Sequence, residues 1–339
     1  MEASSEKRTT AGQRRVVAVV GAPRSGTSAM AHALECLGVD MGDPRLHRPA
    51  DKENERGFWE DQRIIDLCSR LLASQGLNWN SLRLVSASDW LAPGTSALLS
   101  QATELVTECV SHARGGIWGC KNPQMSRTIA VWAEAFRRAD CRASYVVAIR
   151  NPLSFAASVT RGSPHFGTGE APTHLYLTWL VYTLGSLEPV IGGDRAVLVD
   201  YDNLVANPRS QLARISRDLD LPITSANALA VNTFCADFME KGLRHASFKK
   251  DDLYSDAKVP TIVEAAYRLL SSAAADSPAL FSDEFRDQWN EIAATASASN
   301  ATFSLIDQME GQLLRSRALG RFIYRNSPQL LRRWLARFA

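Results

Sequence analysis

The chain has 339 residues, 45% apolar and 22% charged, enough to bury a sizeable core and to set disorder aside. Its 38 basic and 36 acidic side chains leave a formal charge of +2, without the basic surplus of a dedicated nucleic-acid binder. With 20 Gly, 14 Pro and 6 Cys it is neither collagen-like nor a disulfide scaffold, and at ~150 residues per domain it holds about two domains, or one large α/β domain with an appendage.

Residues 1–14 are polar, lack the apolar core of a secretory signal and read as a disordered leader. Val16–Val20 is a continuous apolar run, the pattern of a strand buried on both faces of a parallel sheet. A Gly-rich turn then leads to a predicted helix over Thr27–Leu37, and a second helix is predicted over Trp59–Ser74 from the spacing of Ile64, Ile65, Leu67, Leu71 and Leu72. Strand-like runs recur at Ile117–Cys120, Tyr145–Ile149 and Ala196–Val199, followed by helical patterns over Gln124–Arg138, Leu153–Thr160 and Pro208–Leu219. This alternation predicts an α/β fold: a P-loop-like open parallel sheet flanked by helices. Arg161–Pro172 is rich in Gly and Pro and reads as a mobile loop. The uncharged run Ala171–Leu187 is short for a membrane span and reads as a buried helix, with core packing the favoured reading of Trp179 and Tyr182 and the lining of an acceptor groove the alternative. After about Leu221 the strand signals stop. The expected division is an α/β domain over 15–250 and a helical C-terminal extension over 251–339.

The first strand ends in Gly21-Ala-Pro-Arg-Ser-Gly-Thr-Ser28, where unpaired amides of a helix N-terminus and its dipole favour an anion. The spacing matches G-x-x-x-x-G, but Thr27 holds the Walker lysine position and the loop's cation is Arg24. Two later strands end in Lys121-Asn122-Pro123 and Arg150-Asn151-Pro152, with Asn suited to N-cap and Pro to N1. Arg24, Lys121 and Arg150 are therefore expected at the carboxyl edge of the sheet, where open α/β folds bind ligands, and together they suit a ligand with several negative charges. Ser154 and Ser158 share a helix face beyond Arg150 and are candidates for a second anion site. Val197-Leu-Val-Asp200 has the outline of a Walker B strand, so a P-loop kinase using ATP and Mg²⁺ is the alternative, weakened by the missing lysine. Cys36, Cys68, Cys109, Cys120, Cys141 and Cys235 form no C-x-x-C pair, which argues against zinc and for reduced thiols in a cytoplasmic protein.

These residues resemble the sulfotransferases that use 3′-phosphoadenosine 5′-phosphosulfate (PAPS). Over roughly residues 15–250, Ala22–Ser28 is similar to their 5′-phosphosulfate loop, and Arg150 and Ser158 to their 3′-phosphate site. The RSGTS, LGVDMGD, GFWED and WGCKNP segments look like bacterial carbohydrate-type members. Glu60-Asp-Gln-Arg-Ile-Ile65 resembles the helix start that carries the catalytic glutamate of tyrosylprotein sulfotransferases, and Lys121-Asn122-Pro123 their Lys-Asp-Pro motif. The resemblance implies PAPS as cosubstrate with no metal. It implies Glu60, Lys121 and Arg24 as catalytic residues, and Arg24, Ser25, Gly26, Thr27, Ser28, Arg150, Ser158 and Tyr201 around the nucleotide. His47, His165 and His174 are rival bases, and Arg244 and His245 match a basic element of bacterial members. The implied acceptor is a hydroxyl on a carbohydrate or glycolipid, with a protein tyrosine as the alternative.

The neutral total conceals an asymmetry. Residues 311–339 carry seven arginines and no acid, while the other 310 residues hold 31 basic and 36 acidic groups, so a +7 tail follows a −5 body. Leucines, Phe322, Ile323, Trp334 and Phe338 are interspersed, a composition suited to peripheral contact with the inner face of a membrane or to packing on the body.

Overall fold

The computed structural model describes residues 14–51, 54, 56–162, 171–239, 248–275 and 277–326. His165, Arg244, His245, residues 1–13 and the tail from 327 lie outside the described residues.

The first strand, β1 (Arg14–Gly21), leads into α1 (Thr27–Cys36), and α2 (Gln62–Ser74), α3 (Ala87–Trp90) and α4 (Ser96–His112) follow. Then come β2 (Ile117–Lys121), a 3₁₀ turn at Pro123–Ser126, α5 (Ile129–Arg138), β3 (Cys141–Ile149), α6 (Pro152–Gly162) and α7 (Pro172–Ile191). The last strand, β4 (Arg195–Asp200), is followed by α8 (Tyr201–Ala206), α9 (Pro208–Asp218), α10 (Ala228–Met239), α11 (Lys250–Ser255), α12 (Thr261–Ala273), α13 (Asp283–Ala298) and α14 (Asn300–Asn326).

All four strands are parallel, in the order β2-β1-β3-β4. This is the open parallel sheet that the strand–helix alternation predicts, with each strand somewhat longer than its apolar run. Side chains alternate between two cores. Val16, Ala18, Val20, Tyr145, Val147 and Leu198 face α2, α4, α5, α7, α12 and α13, whereas Val17, Val19, Val146, Ala148, Val197 and Val199 face α1, α9 and α10. Burial on both sides explains why the strands read as continuous apolar runs. The C-terminal helices α12 and α13 contribute Val263, Tyr267, Leu270, Phe285 and Trp289 to the same core as the sheet.

Because β1 is flanked by β2 on one side and β3 on the other, the connections leaving β1 and β3 diverge, opening a crevice at their carboxyl ends. Gly21 closes β1 at φ +146°, and a Cβ there would lie 2.4 Å from the Ala148 carbonyl oxygen, so only glycine lets β1 pass this close to β3.

Two local expectations are corrected. The second helix begins at Gln62, not Trp59, because Asp61 is its N-cap and accepts from the Arg63 amide at 2.8 Å. Glu60 therefore lies in the turn before the helix rather than in its first turn. After Lys121 the chain makes the 3₁₀ turn capped by Asn122 before α5 starts at Ile129. Trp179 and Tyr182 are buried in the core, as the favoured core-packing reading expects, and the Tyr182 hydroxyl donates to the Trp79 carbonyl at 2.8 Å. Among the described residues no helix is long and apolar enough to cross a membrane.

Candidate active site

The loop from Gly21 to Ser28 turns over the crevice end. Ser126 fixes its start: its hydroxyl accepts from the Gly21 amide at 2.8 Å. Arg24 and Gly26 both adopt left-handed backbone, at φ +64° and +83°, the first a conformation a non-glycine residue holds only under constraint. Gly26 is the N-cap of α1, and a Cβ on it would fall 2.1 Å from Cδ2 of Tyr201. The loop thus leans against an aromatic ring and aims the first amides of α1, from Thr27 and Ser28, outward. Ser25 is fully buried and its Oγ has no hydrogen-bond partner among the described residues. An orphaned hydroxyl in an amide-rich loop suits a bound oxyanion.

Arg150, at the end of β3, donates from Nη1 to the Arg24 carbonyl at 3.0 Å, and its guanidinium lies 4.9 Å from the Tyr201 ring centroid. Burial lowers its pKa, with Asp202 and Tyr201 opposing that shift. Arg24 donates from Nε to Ser158 Oγ at 3.1 Å. The loop, β3, α6 and the start of α8 therefore meet in one cationic group. The Ser154 hydroxyl is buried and accepts from the Phe248 amide at 3.1 Å, which ties α6 to the segment at Phe248.

Lys121, at the end of β2, supplies the third cation. Its Nζ donates to Ser28 Oγ at 3.2 Å, to the Phe58 carbonyl at 3.1 Å and to Glu60 Oε1. Three acceptors occupy the three protons of the ammonium group. Burial lowers the Lys121 pKa, and the Glu60 carboxylate opposes that shift. Ser28 Oγ also accepts from Asn54 Nδ2 at 3.1 Å, which leaves its own proton for a ligand.

The segment between His47 and Asp61 brings Glu60 to Lys121. An antiparallel bridge joins its ends, and the Arg48 amide donates to the Glu60 carbonyl at 2.7 Å. Trp59 at φ +52° turns the chain so that the Phe58 carbonyl and the Glu60 carboxylate both reach Nζ. The Arg48 guanidinium stacks 3.8 Å from the Phe58 centroid. Asn54, Arg48 and Ser126 carry no motif that marks them in the sequence, and Phe58 is marked only as part of GFWED; their roles come from contacts across the fold.

His47 and His174 are engaged elsewhere. The ring of His47 lies 2.9 Å from the Met41 carbonyl through Nε2, while buried His174 spans the Asn80 carbonyl and Glu310 at 3.0 Å each. Asp200, the Walker B-like residue, caps α8 by accepting from the Asn203 amide at 3.0 Å, and burial raises its pKa.

A model of the sulfotransferase family matches residues 17–225, from within β1 to beyond the end of α9, a range that includes Arg24, Glu60, Lys121, Arg150, Ser158 and Tyr201. No curated protein matches the chain. Among solved structures, the sulfotransferase STF9 from Mycobacterium avium aligns with a TM-score of 0.46 at 16% identity, covering 78% of this chain and 76% of that one. A retinol dehydratase in complex with androsterone and inactive cofactor PAP aligns with a TM-score of 0.31 at 11% identity, covering 83% of this chain and 80% of that one.

Proposed function

The chain belongs to the sulfotransferase family, and from that premise we propose that it moves the sulfonyl group of PAPS to an acceptor hydroxyl, on a carbohydrate or glycolipid. The observation that carries the reading is the meeting of Arg24, Lys121 and Arg150 at the switch point of the sheet, joined through Ser28, Ser158 and the Arg24 carbonyl. Three cations and a helix N-terminus suit a donor with a 5′-phosphosulfate and a separate 3′-phosphate.

In this reading Ser25, Gly26, Thr27 and Ser28 hold the 5′ end through loop amides and the two hydroxyls. Arg150 and Ser158 hold the 3′-phosphate, and the Tyr201 ring lies against the nucleotide. Bound PAPS supplies an activated sulfonyl group and a PAP leaving group. Arg24 and Lys121 hold the charge that builds on the bridging oxygen, so positioning and electrostatics provide most of the rate. Glu60 removes the acceptor's proton, an effect typically worth about 10²–10⁴-fold. Glu60 faces the site through Oε1, where it pairs with Lys121 Nζ.

The bacterial-type segments support a carbohydrate acceptor. Cytoplasmic location, with peripheral contact at the inner membrane face through residues 311–339, belongs to the same reading. Mass spectrometry of glycans, lipids and proteins from cells with and without the gene tests it. A sulfonate gained on a glycan or glycolipid supports the acceptor class. Sulfotyrosine instead replaces that class with protein, and no gene-dependent sulfonate contradicts the proposal.

A further inference from the structure

Trp59 holds a backbone conformation that its side chain must secure. Its φ of +52° lies in the left-handed region, where a bulky residue stays only if its surroundings hold it. Two contacts to α1 do so. The indole Nε1 donates to Glu35 Oε2 at 2.9 Å, and the ring stacks on His32 with centroids 5.0 Å apart and planes 18° from parallel. The His32 ring is braced edge-on by Phe234 of α10, at 5.2 Å. The residues on either side of Trp59 are the ones that meet Lys121: the Phe58 carbonyl and the Glu60 carboxylate both accept from Nζ.

One face of α1 therefore reaches both the anion loop and the turn that carries Glu60. Ser28, His32 and Glu35 stand at i, i+4 and i+7, in one line along the helix. At the N-terminal end Ser28 Oγ accepts from Lys121 Nζ and from Asn54 Nδ2. One and two turns further on, His32 and Glu35 grip Trp59. Asn54 and Trp59 thus fasten the same segment to the same helix at two points. An indole resting on a helix is by itself ordinary packing. Here its two chain neighbours supply acceptors to a buried ammonium group, so the seat of the ring sets where the Glu60 carboxylate lies. We propose that Trp59, seated on His32 and Glu35, is a positioning residue that holds Glu60 against Lys121. Resting on the sulfonyl-transfer reading, in which Glu60 is the base and Lys121 meets the donor, this role adds what fixes the one beside the other.

The test removes the indole's hydrogen bond and leaves both members of the ion pair in place. Glu35 is exposed, so Glu35→Ala spares the core, Glu35→Gln keeps an acceptor for Nε1, and Trp59→Phe keeps a ring over His32. The Arg48 amide donates to the Glu60 carbonyl, so its hydrogen exchange, read by NMR, reports on the turn. Glu35→Ala and Trp59→Phe should exchange this amide about threefold faster at an unchanged melting temperature, while Glu35→Gln matches the parent. Calorimetry with PAP supplies the second reading. In the two loosened variants Glu60 spends less time on Nζ, so PAP binds about threefold more tightly, and the gain largely disappears in the Glu60→Gln background. Parent-like exchange in both variants, equal acceleration in Glu35→Gln, or no gain in PAP affinity where the parent binds PAP overturns the role. A gain of the same size in the Glu60→Gln background also overturns it, since the ring would then act on the site by another route. If exchange responds as expected and PAP binds neither the parent nor any variant, the sulfonyl-transfer reading fails and the seat of Trp59 stands.

Discussion

Lys121 and Glu60 form an ion pair in the interior, with Nζ against Oε1 and the two side chains only 2% and 8% exposed. Because the Phe58 carbonyl and Ser28 Oγ occupy the remaining protons of Nζ, Lys121 cannot bind an incoming anion without releasing one of its partners. In the proposed function the carboxylate and the donor therefore compete for one cation.

That competition gives Glu60→Gln two opposite effects. The variant keeps an acceptor near Nζ but removes the competing charge, so PAP should bind about tenfold more tightly, the equivalent of about 1.4 kcal/mol. Sulfonyl transfer should fall by about 10²–10⁴-fold. Isothermal titration with PAP and a turnover assay with PAPS check the two halves. Unchanged affinity together with full turnover would remove Glu60 from the mechanism.

Burial lowers the Lys121 pKa below the ordinary 10.5, so its proton is lost earlier than from a surface lysine as the pH rises. The Lys121 charge, proposed to attract the donor, is present below that lowered value and is lost above it. Affinity for PAP, measured from neutral to alkaline pH, should weaken before pH 10.5 is reached. Lys121→Arg should retain affinity further into the alkaline range. A flat profile for the parent up to that point would contradict the direction of the shift.

Arg150 is expected to carry the response to the 3′-phosphate. Arg150→Ala removes a charged hydrogen-bond donor, a loss of about 1.5–3 kcal/mol, or roughly 10–150-fold, in affinity for PAP. Adenosine 5′-phosphosulfate, which lacks the 3′-phosphate, should lose far less. Equal losses for the two would mean that Arg150 only supports the Arg24 carbonyl.

Gly26→Ala would force a Cβ to 2.1 Å from the Tyr201 ring in backbone held at φ +83°. Overpacking and left-handed strain together should cost about 1–3 kcal/mol, visible in calorimetry as a lower melting temperature. PAP affinity should fall in the same variant, because the ring and the loop move together. A melting temperature equal to the parent's would show that the loop relaxes freely.

Much of the site was legible because strand ends in a parallel sheet share one edge, so a basic residue at the end of β1, β2 or β3 needs no tertiary information to be placed there. Arg24, Lys121 and Arg150 could be assigned to that edge from their motifs alone. Glu60 was legible only through resemblance, and its neighbours read as a helix start whose cap is in fact Asp61. The contacts that define its chemistry join distant segments: Lys121 is 61 residues from Glu60, and Ser126 is 105 from Gly21. Ser154 shows the same limit. Helical spacing put it beside Ser158, but not beside the Phe248 amide, 94 residues away, that donates to its hydroxyl. Pattern gives the face of a helix; only the fold says what that face meets.

The most direct test of the account is a calorimetric comparison of PAP with ATP·Mg²⁺ on the parent chain and on Arg150→Ala. The expected result is that PAP binds without added metal and more tightly than ATP·Mg²⁺, and that the preference collapses in Arg150→Ala. Tighter binding of ATP·Mg²⁺, with PAP weak or silent, would contradict a site built for a 3′-phosphorylated sulfonyl donor and would favour phosphoryl chemistry in its place.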